Sequence, residues 1–138
     1  MNVTNTVFPG PEQIAGFFGA PEDGPFVMVN LLKFKPRAEY EDGSDAHLTG
    51  AEAYSRYGEA VRVLVEGLGG RIRYSGRVTG LLIGEVEDLW DAVALAEYPT
   101  LAAFQAMAMS PEMHAIEHHR KAGLAGQLNI RTKPGVGF

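Results

Sequence analysis

The stretch Phe26–Phe34, FVMVNLLKF, restricts what this chain can fold into more than any other part of it. In an extended strand Val27, Val29 and Leu31 point one way and Met28, Asn30, Leu32 and Phe34 the other, because successive side chains alternate. Both sets are apolar apart from one amide. An antiparallel sheet with a wet face alternates apolar and polar residues, so this strand is predicted to be covered on both sides. The stretch 90–98, WDAVALAEY, has the same character: Ala92, Ala94 and Ala96 line one side, and Val93, Leu95 and Glu97 the other.

The surrounding segments supply the rest of a layered fold. Thr49-Gly50-Ala51-Glu52 has the spacing of a capping box, and Tyr54, Tyr57, Val61, Leu64, Val65 and Leu68 continue it as a helical stripe. Gly69-Gly70 ends that helix, since glycine tolerates the left-handed conformation that follows a helix C-terminus. A strand is predicted over about 71–84, RIRYSGRVTGLLIG, and another over about 90–98. Pro99-Thr100 opens a helix through Met109, and Ser110-Pro111 restarts it as a second segment, with serine as cap and proline at the first helical position. LAGQLNIR, after Gly123, reads as the last strand. Before the first strand, Glu12–Phe18 forms a short helix with Ile14, Phe17 and Phe18 on one face.

The order β-α-β, then β-α-β, is that of a ferredoxin-like α+β fold: an antiparallel sheet with its helices on one face. Helices cover one side only, so a second copy of the chain, sheet against sheet, is predicted to cover the other. The product is a homodimeric α+β barrel. The N-terminal segment and the C-terminal tail are the alternative cover. The divisions expected are an N-terminal extension, 1–25, packing on the core, a barrel domain, 26–132, and a tail, 133–138. Residues 36–48, PRAEYEDGSDAHL, are a polar surface loop.

Composition excludes several functions. The 138 residues carry a formal charge of −5, which argues against nucleic acid as partner, because phosphate-binding surfaces are basic. The absence of cysteine removes disulfides, thiol nucleophiles and zinc-thiolate sites. The opening MNVTNTVFPGPEQ lacks the basic and apolar regions of a secretion signal, and no apolar run approaches the roughly 20 residues that span a bilayer. A cytoplasmic protein without a membrane partner is expected.

MVNLLKF, YSRYG, the GG before the second strand, YPTLAAFQAM, SPEM and HHRKAGL together resemble the domain of unknown function 1330. That family belongs to the dimeric α+β barrel superfamily, which includes the antibiotic-biosynthesis-type monooxygenases. The resemblance covers about Phe26 to Leu128 and implies sheets paired across a dimer. It implies little about activity, since the superfamily holds cofactor-free oxygenases, isomerases, haem enzymes and members with no known chemistry.

Candidate site residues follow from the polar groups on inward faces. Asn30 needs hydrogen-bond partners if buried; a neighbouring strand supplies them in a structural role, and a ligand in a functional one. Tyr57, Arg73, His119 and Arg120 are the residues expected to share its space, with Glu97 as ion-pair partner of Arg73 or Arg120. A mostly apolar pocket with a few convergent polar groups suits a small organic ligand. The expected chemistry is cofactor-independent, monooxygenase- or isomerase-like: His119 moves a proton while Asn30 and Arg73 hold a developing oxyanion. The alternative is a non-catalytic dimeric binding or interaction module. Haem held by His119 is a third reading.

His114-Ala115-Ile116-Glu117-His118 matches H-x-x-E-H, but no Asp or Glu follows Glu117 to supply a third metal ligand. No metal and no cofactor are assigned. GLGGRI ends a helix and does not follow a strand, so it is not a phosphate-cradling fingerprint. No G-x-S-x-G elbow occurs, and a hydrolase triad has no support.

Overall fold

The computed structural model describes residues 3–22 and 24–135. The described elements are α1 (Pro11–Phe18), β1 (Phe26–Phe34), α2 (Gly50–Gly67), β2 (Arg71–Arg77), β3 (Ala92–Tyr98), α3 (Leu101–Ala108), α4 (Pro111–Gly123) and β4 (Leu124–Thr132). The strands form one antiparallel sheet in the order β2-β3-β1-β4. This is the ferredoxin-like α+β topology, with the two strands that are apolar on both sides in the middle and the more polar β2 and β4 at the edges.

Register assigns the faces. Asn30 lies opposite Ala94 on β3 and Asn129 on β4, and Leu32 lies opposite Ala92 and Gln127. Phe26, Met28, Ala96 and Tyr98 pack against Val65 of α2, Leu101 and Met107 of α3 and Met113 of α4. The even-numbered side of β1 therefore faces the helices. Each large side chain buried there contributes roughly 1.5–3 kcal/mol of apolar transfer. The other side of the sheet carries Val27, Val29, Leu31, Val93 and Leu95, with Tyr74, Leu128 and Ile130 on the edge strands. Tyr74 and Ile130 are exposed.

Local chemistry sets the helix ends. Thr49 Oγ1 accepts the Glu52 amide at 3.1 Å, and the Glu52 carboxylate accepts the Thr49 amide at 2.9 Å. Ser110 Oγ accepts from Met113 N at 3.1 Å, ahead of Pro111. Glu22 caps α3 from outside, accepting from Leu101 N at 2.9 Å and Ala102 N at 3.0 Å. Where α2 begins, α4 ends and β1 leaves the sheet, the backbones meet without side chains between them. Lys35 N donates to Gly123 O and Gly50 N donates to Lys35 O. A Cβ on Gly50 would collide with the Lys35 carbonyl, and one on Gly123 with the Gly50 carbonyl.

The strand predicted to run to residue 84 stops at Arg77. Residues 78–91 form a loop whose base is closed by Val78 N to Asp91 O and Asp91 N to Leu32 O. Lys33 clamps it from β1, donating to Asp88 at 2.8 Å and to Leu89 O at 2.7 Å. β3 has already turned into register at Ala92, so 78–84 has no strand to pair with. At the loop's tip Leu82 and Ile83 are 97% and 86% exposed.

The N-terminal segment lies on the helix side. Phe17 and Phe18 pack against the core, while Ile14, expected on the same buried face, is exposed. Thr6 bridges to Gln127 on the free edge of β4, and Arg131 sits over the rings of Phe17 and Phe26. Of the tail, residues 136–138 lie outside the described residues. No described helix is long and apolar enough to cross a membrane.

Candidate functional site

Between Ala92 and Ala96 the helix-facing side of β3 offers only the methyl groups of Ala92, Ala94 and Ala96, with Tyr98 the one large side chain at its end, and small side chains cannot fill the space below two helices. The result is an open cleft of about 1710 Å³ between sheet and helices. Asn30, Leu32, Phe34, Ala92 and Ala94 form its floor; Tyr54, Tyr57 and Val61 of α2 and Met113, Glu117 and Arg120 of α4 form its walls. Phe8 and Phe17 of the N-terminal segment border it. A smaller hollow of about 350 Å³ beside Lys33, Asp88 and Trp90 belongs to the base of the 78–91 loop.

A line of polar groups crosses one end of this apolar cleft. Asn30 Nδ2 donates to Ala94 O at 3.2 Å and, more weakly, to Met28 O at 3.3 Å. Its Oδ1 accepts from Gln127 Nε2 at 2.7 Å. Gln127 Oε1 in turn accepts from Arg120 Nη2 at 2.6 Å. Arg120 Nη1 stands 3.6 Å from Glu117 Oε2, and the guanidinium lies 5.4 Å from the centre of the Phe8 ring, a cation–π contact. The amide in the middle of FVMVNLLKF thus ties two neighbouring strands together and anchors a relay that ends on α4.

The tyrosines beside the relay stay neutral. Burial pushes the Tyr54 hydroxyl up to about 12 and also raises that of Tyr57, in both cases by disfavouring the phenolate. Tyr57 OH points at Met113 Sδ, 3.8 Å away. The aromatic rings meet at tilted angles along the wall, with the Tyr54 centroid 5.5 Å from that of Phe34 and 5.4 Å from that of Tyr57.

Of the residues singled out in the sequence, Asn30, Tyr57 and Arg120 line this cleft together. Arg73, Glu97 and His119 do not line it. Glu97 lies opposite Val27 on the far side of the sheet and holds Arg71 at 2.9 Å and Arg73 at 3.6 Å. Arg73 sits at the irregularity between Ile72 and Tyr74, which removes it from simple alternation. His119 turns toward the 36–48 loop, where its Nδ1 meets Tyr40 OH at 2.7 Å. Partial burial and the neighbouring His118 hold its pKa below the ordinary histidine value. Adjacent helical residues diverge by about 100°, so with Arg120 in the cleft His119 points elsewhere. No group of three metal-ligating side chains occurs among the described residues.

Tyr54, Glu117 and Gln127 line the cleft but were not among the candidate site residues read from the sequence. Two had a signal there: Tyr54 is one turn from Tyr57, and Glu117 one turn from Arg120, so each shares a face with a residue already chosen. Gln127 had none, because its position opposite Leu32 depends on strand register.

No family model matches the chain, and no curated protein matches it. Among solved structures it is similar to the RPA0582 protein of unknown function from Rhodopseudomonas palustris. The two share 37% sequence identity over 97% of this chain and 100% of that one, with a TM-score of 0.85. A dimeric ferredoxin-like protein of unknown function from Thermobifida fusca is similar at 13% identity, covering 79% of this chain and 90% of that one, TM-score 0.51. A dabb family protein with a ferredoxin-like fold from Mesorhizobium loti matches at 12% identity, covering 83% and 100%, TM-score 0.50. The last two likenesses concern the fold alone.

Proposed function

The chain belongs to the family of the RPA0582 protein of Rhodopseudomonas palustris, and from that premise we propose that it is a homodimeric protein that binds a small, largely apolar organic molecule between its helices and its sheet. The observation that carries this reading is the cleft itself: an alanine floor and an aromatic wall, crossed at one end by the Asn30–Gln127–Arg120 relay. Mostly apolar lining with a few convergent polar groups is the usual make-up of a small-molecule site. The motifs between Phe26 and Leu128 support assigning the family to the domain of unknown function 1330 and the dimeric α+β barrels. The apolar outer side of the sheet supports the pairing, as does the description of the Thermobifida fusca protein as dimeric. Cofactor-independent turnover would extend this reading, drawing its hydrogen-bond donors from Tyr54, Tyr57 and Arg120.

A cleft-filling variant tests it. The fluorescent probe 2-methoxynaphthalene is expected to bind the wild type and to lose affinity by about tenfold or more in Ala94→Phe, whose ring would occupy the floor. The variant's thermal unfolding serves as a check on folding. No binding to the wild type, or binding indifferent to Ala94→Phe in the folded variant, overturns the reading.

A further inference from the structure

One donor in the cleft has no acceptor in the protein. The Tyr54 hydroxyl makes no hydrogen bond to any described residue, and it is not sealed off. Among the described residues Glu117 Oε2 is the one side-chain oxygen or nitrogen both without a partner and closed to solvent. Tyr54 lines the cleft and is otherwise surrounded by protein, so the surface its hydroxyl keeps opens into the cleft. The side chain is held in place from two sides. The rings of Phe34 and Tyr57 lie 5.5 Å and 5.4 Å from its own. Behind it α4 comes so near at Gly123 that a Cβ there would stand 3.2 Å from Tyr54 Cβ. One turn on, Tyr57 gives its hydrogen to the Met113 sulfur at 3.8 Å, a weak acceptor.

We propose that the ligand of this cleft is a neutral carbonyl compound, a ketone, aldehyde or ester on an apolar body, whose oxygen accepts from the Tyr54 hydroxyl. The inference rests on the reading of the cleft as a small-molecule site and adds the polar group that such a molecule must bring. An apolar ligand expels water from the cleft, and a hydroxyl that then finds no acceptor bears its full desolvation cost. A carbonyl oxygen accepts without bringing a hydrogen of its own, and its second lone pair remains for the Tyr57 hydroxyl. Neutrality follows from the surroundings. The burial that disfavours the Tyr54 phenolate disfavours a ligand anion at the same place. The charge of Arg120 already faces Glu117 at 3.6 Å.

Three naphthalenes of nearly one shape separate this inference from the reading beneath it. 2-Acetylnaphthalene carries the carbonyl, 2-isopropenylnaphthalene replaces its oxygen with a CH2 group, and 2-naphthoate is the anion. Affinities are read by displacement of 2-methoxynaphthalene. Wild-type protein is expected to bind the ketone about tenfold more tightly than the alkene, the scale of one hydrogen bond in a dry site, and more tightly than the naphthoate. Tyr54→Phe, which keeps the ring, is expected to bring the ratio of ketone to alkene to about one. Its affinity for the alkene is expected to match or exceed that of the wild type. Equal binding of ketone and alkene by the wild type, a preference that survives in Tyr54→Phe, or tighter binding of the naphthoate overturns the inference while leaving the cleft as a binding site. Failure of every probe to bind, 2-methoxynaphthalene included, overturns the cleft reading and this inference with it.

Discussion

Asn30 shows how much one polar residue in an apolar run reveals. Its presence in FVMVNLLKF signals that the helix side of β1 meets other polar groups, and it does: Ala94 O on one neighbour and Gln127 on the other. Which groups these are was not legible, because partners 64 and 97 residues away are selected by register. Tyr54 carries a pH consequence of the same burial. Its hydroxyl is raised from an ordinary value of 10.0 to about 12, so the unfolded chain ionises first as pH rises. The contribution to stability is complete below about pH 10 and is lost as pH climbs through about 12, because in that window the folded state binds more protons. Tyr57 shifts in the same direction by the same cause. Alkaline unfolding followed by tyrosinate absorbance is expected to fall off less steeply above pH 10 in Tyr54→Phe than in the wild type. An unchanged profile would mean that the ring is wet.

At the scale of elements, most limits were legible, those of the helices from their ends and those of β1, β3 and β4 from their apolar runs, and the end of β2 was not. Capping box, proline start and glycine stop are all local, and α2 and α4 appear within a residue or two of their predicted limits. β2 was overestimated because the run VTGLLIG has strand-like composition, yet a strand also needs a neighbour, and the neighbour begins at Ala92. The glycines at 50 and 123 were equally opaque as sequence. Gly123 precedes the last strand in the sequence, and its role is close approach: it lets α2 and α4 touch backbone to backbone beside Lys35. Gly50→Ala is therefore expected to cost about 1–3 kcal/mol in urea denaturation, the range for overpacking a filled site. Gly58→Ala, in the same helix with open space around its Cα, makes the control and is expected to be neutral or stabilising. Equal effects of the two would refute the close-packed junction.

For the whole molecule, the outer side of the sheet is the surface on which the proposed pairing rests. Val29, Leu31, Val93 and Leu95 belong to the two central strands and have no helix over them. The proposed pairing predicts that the wild type sediments as a dimer at micromolar concentration. Val29→Glu, a charge in the centre of that face, is expected to sediment as a monomer with unchanged circular dichroism. A well-folded wild-type monomer would remove the barrel and leave the exposed sheet without a cover. The order of elements, the two-sided apolar strands and the helix limits were determined by the sequence alone, because they depend on local propensity and periodicity. The cleft, the relay from Asn30 to Arg120 and the placing of Arg73, Glu97 and His119 away from it were decided by the tertiary structure. Strand register, one irregularity in β2 and the angular step between neighbouring helical residues choose which side chains meet, and no short stretch of sequence encodes those three together.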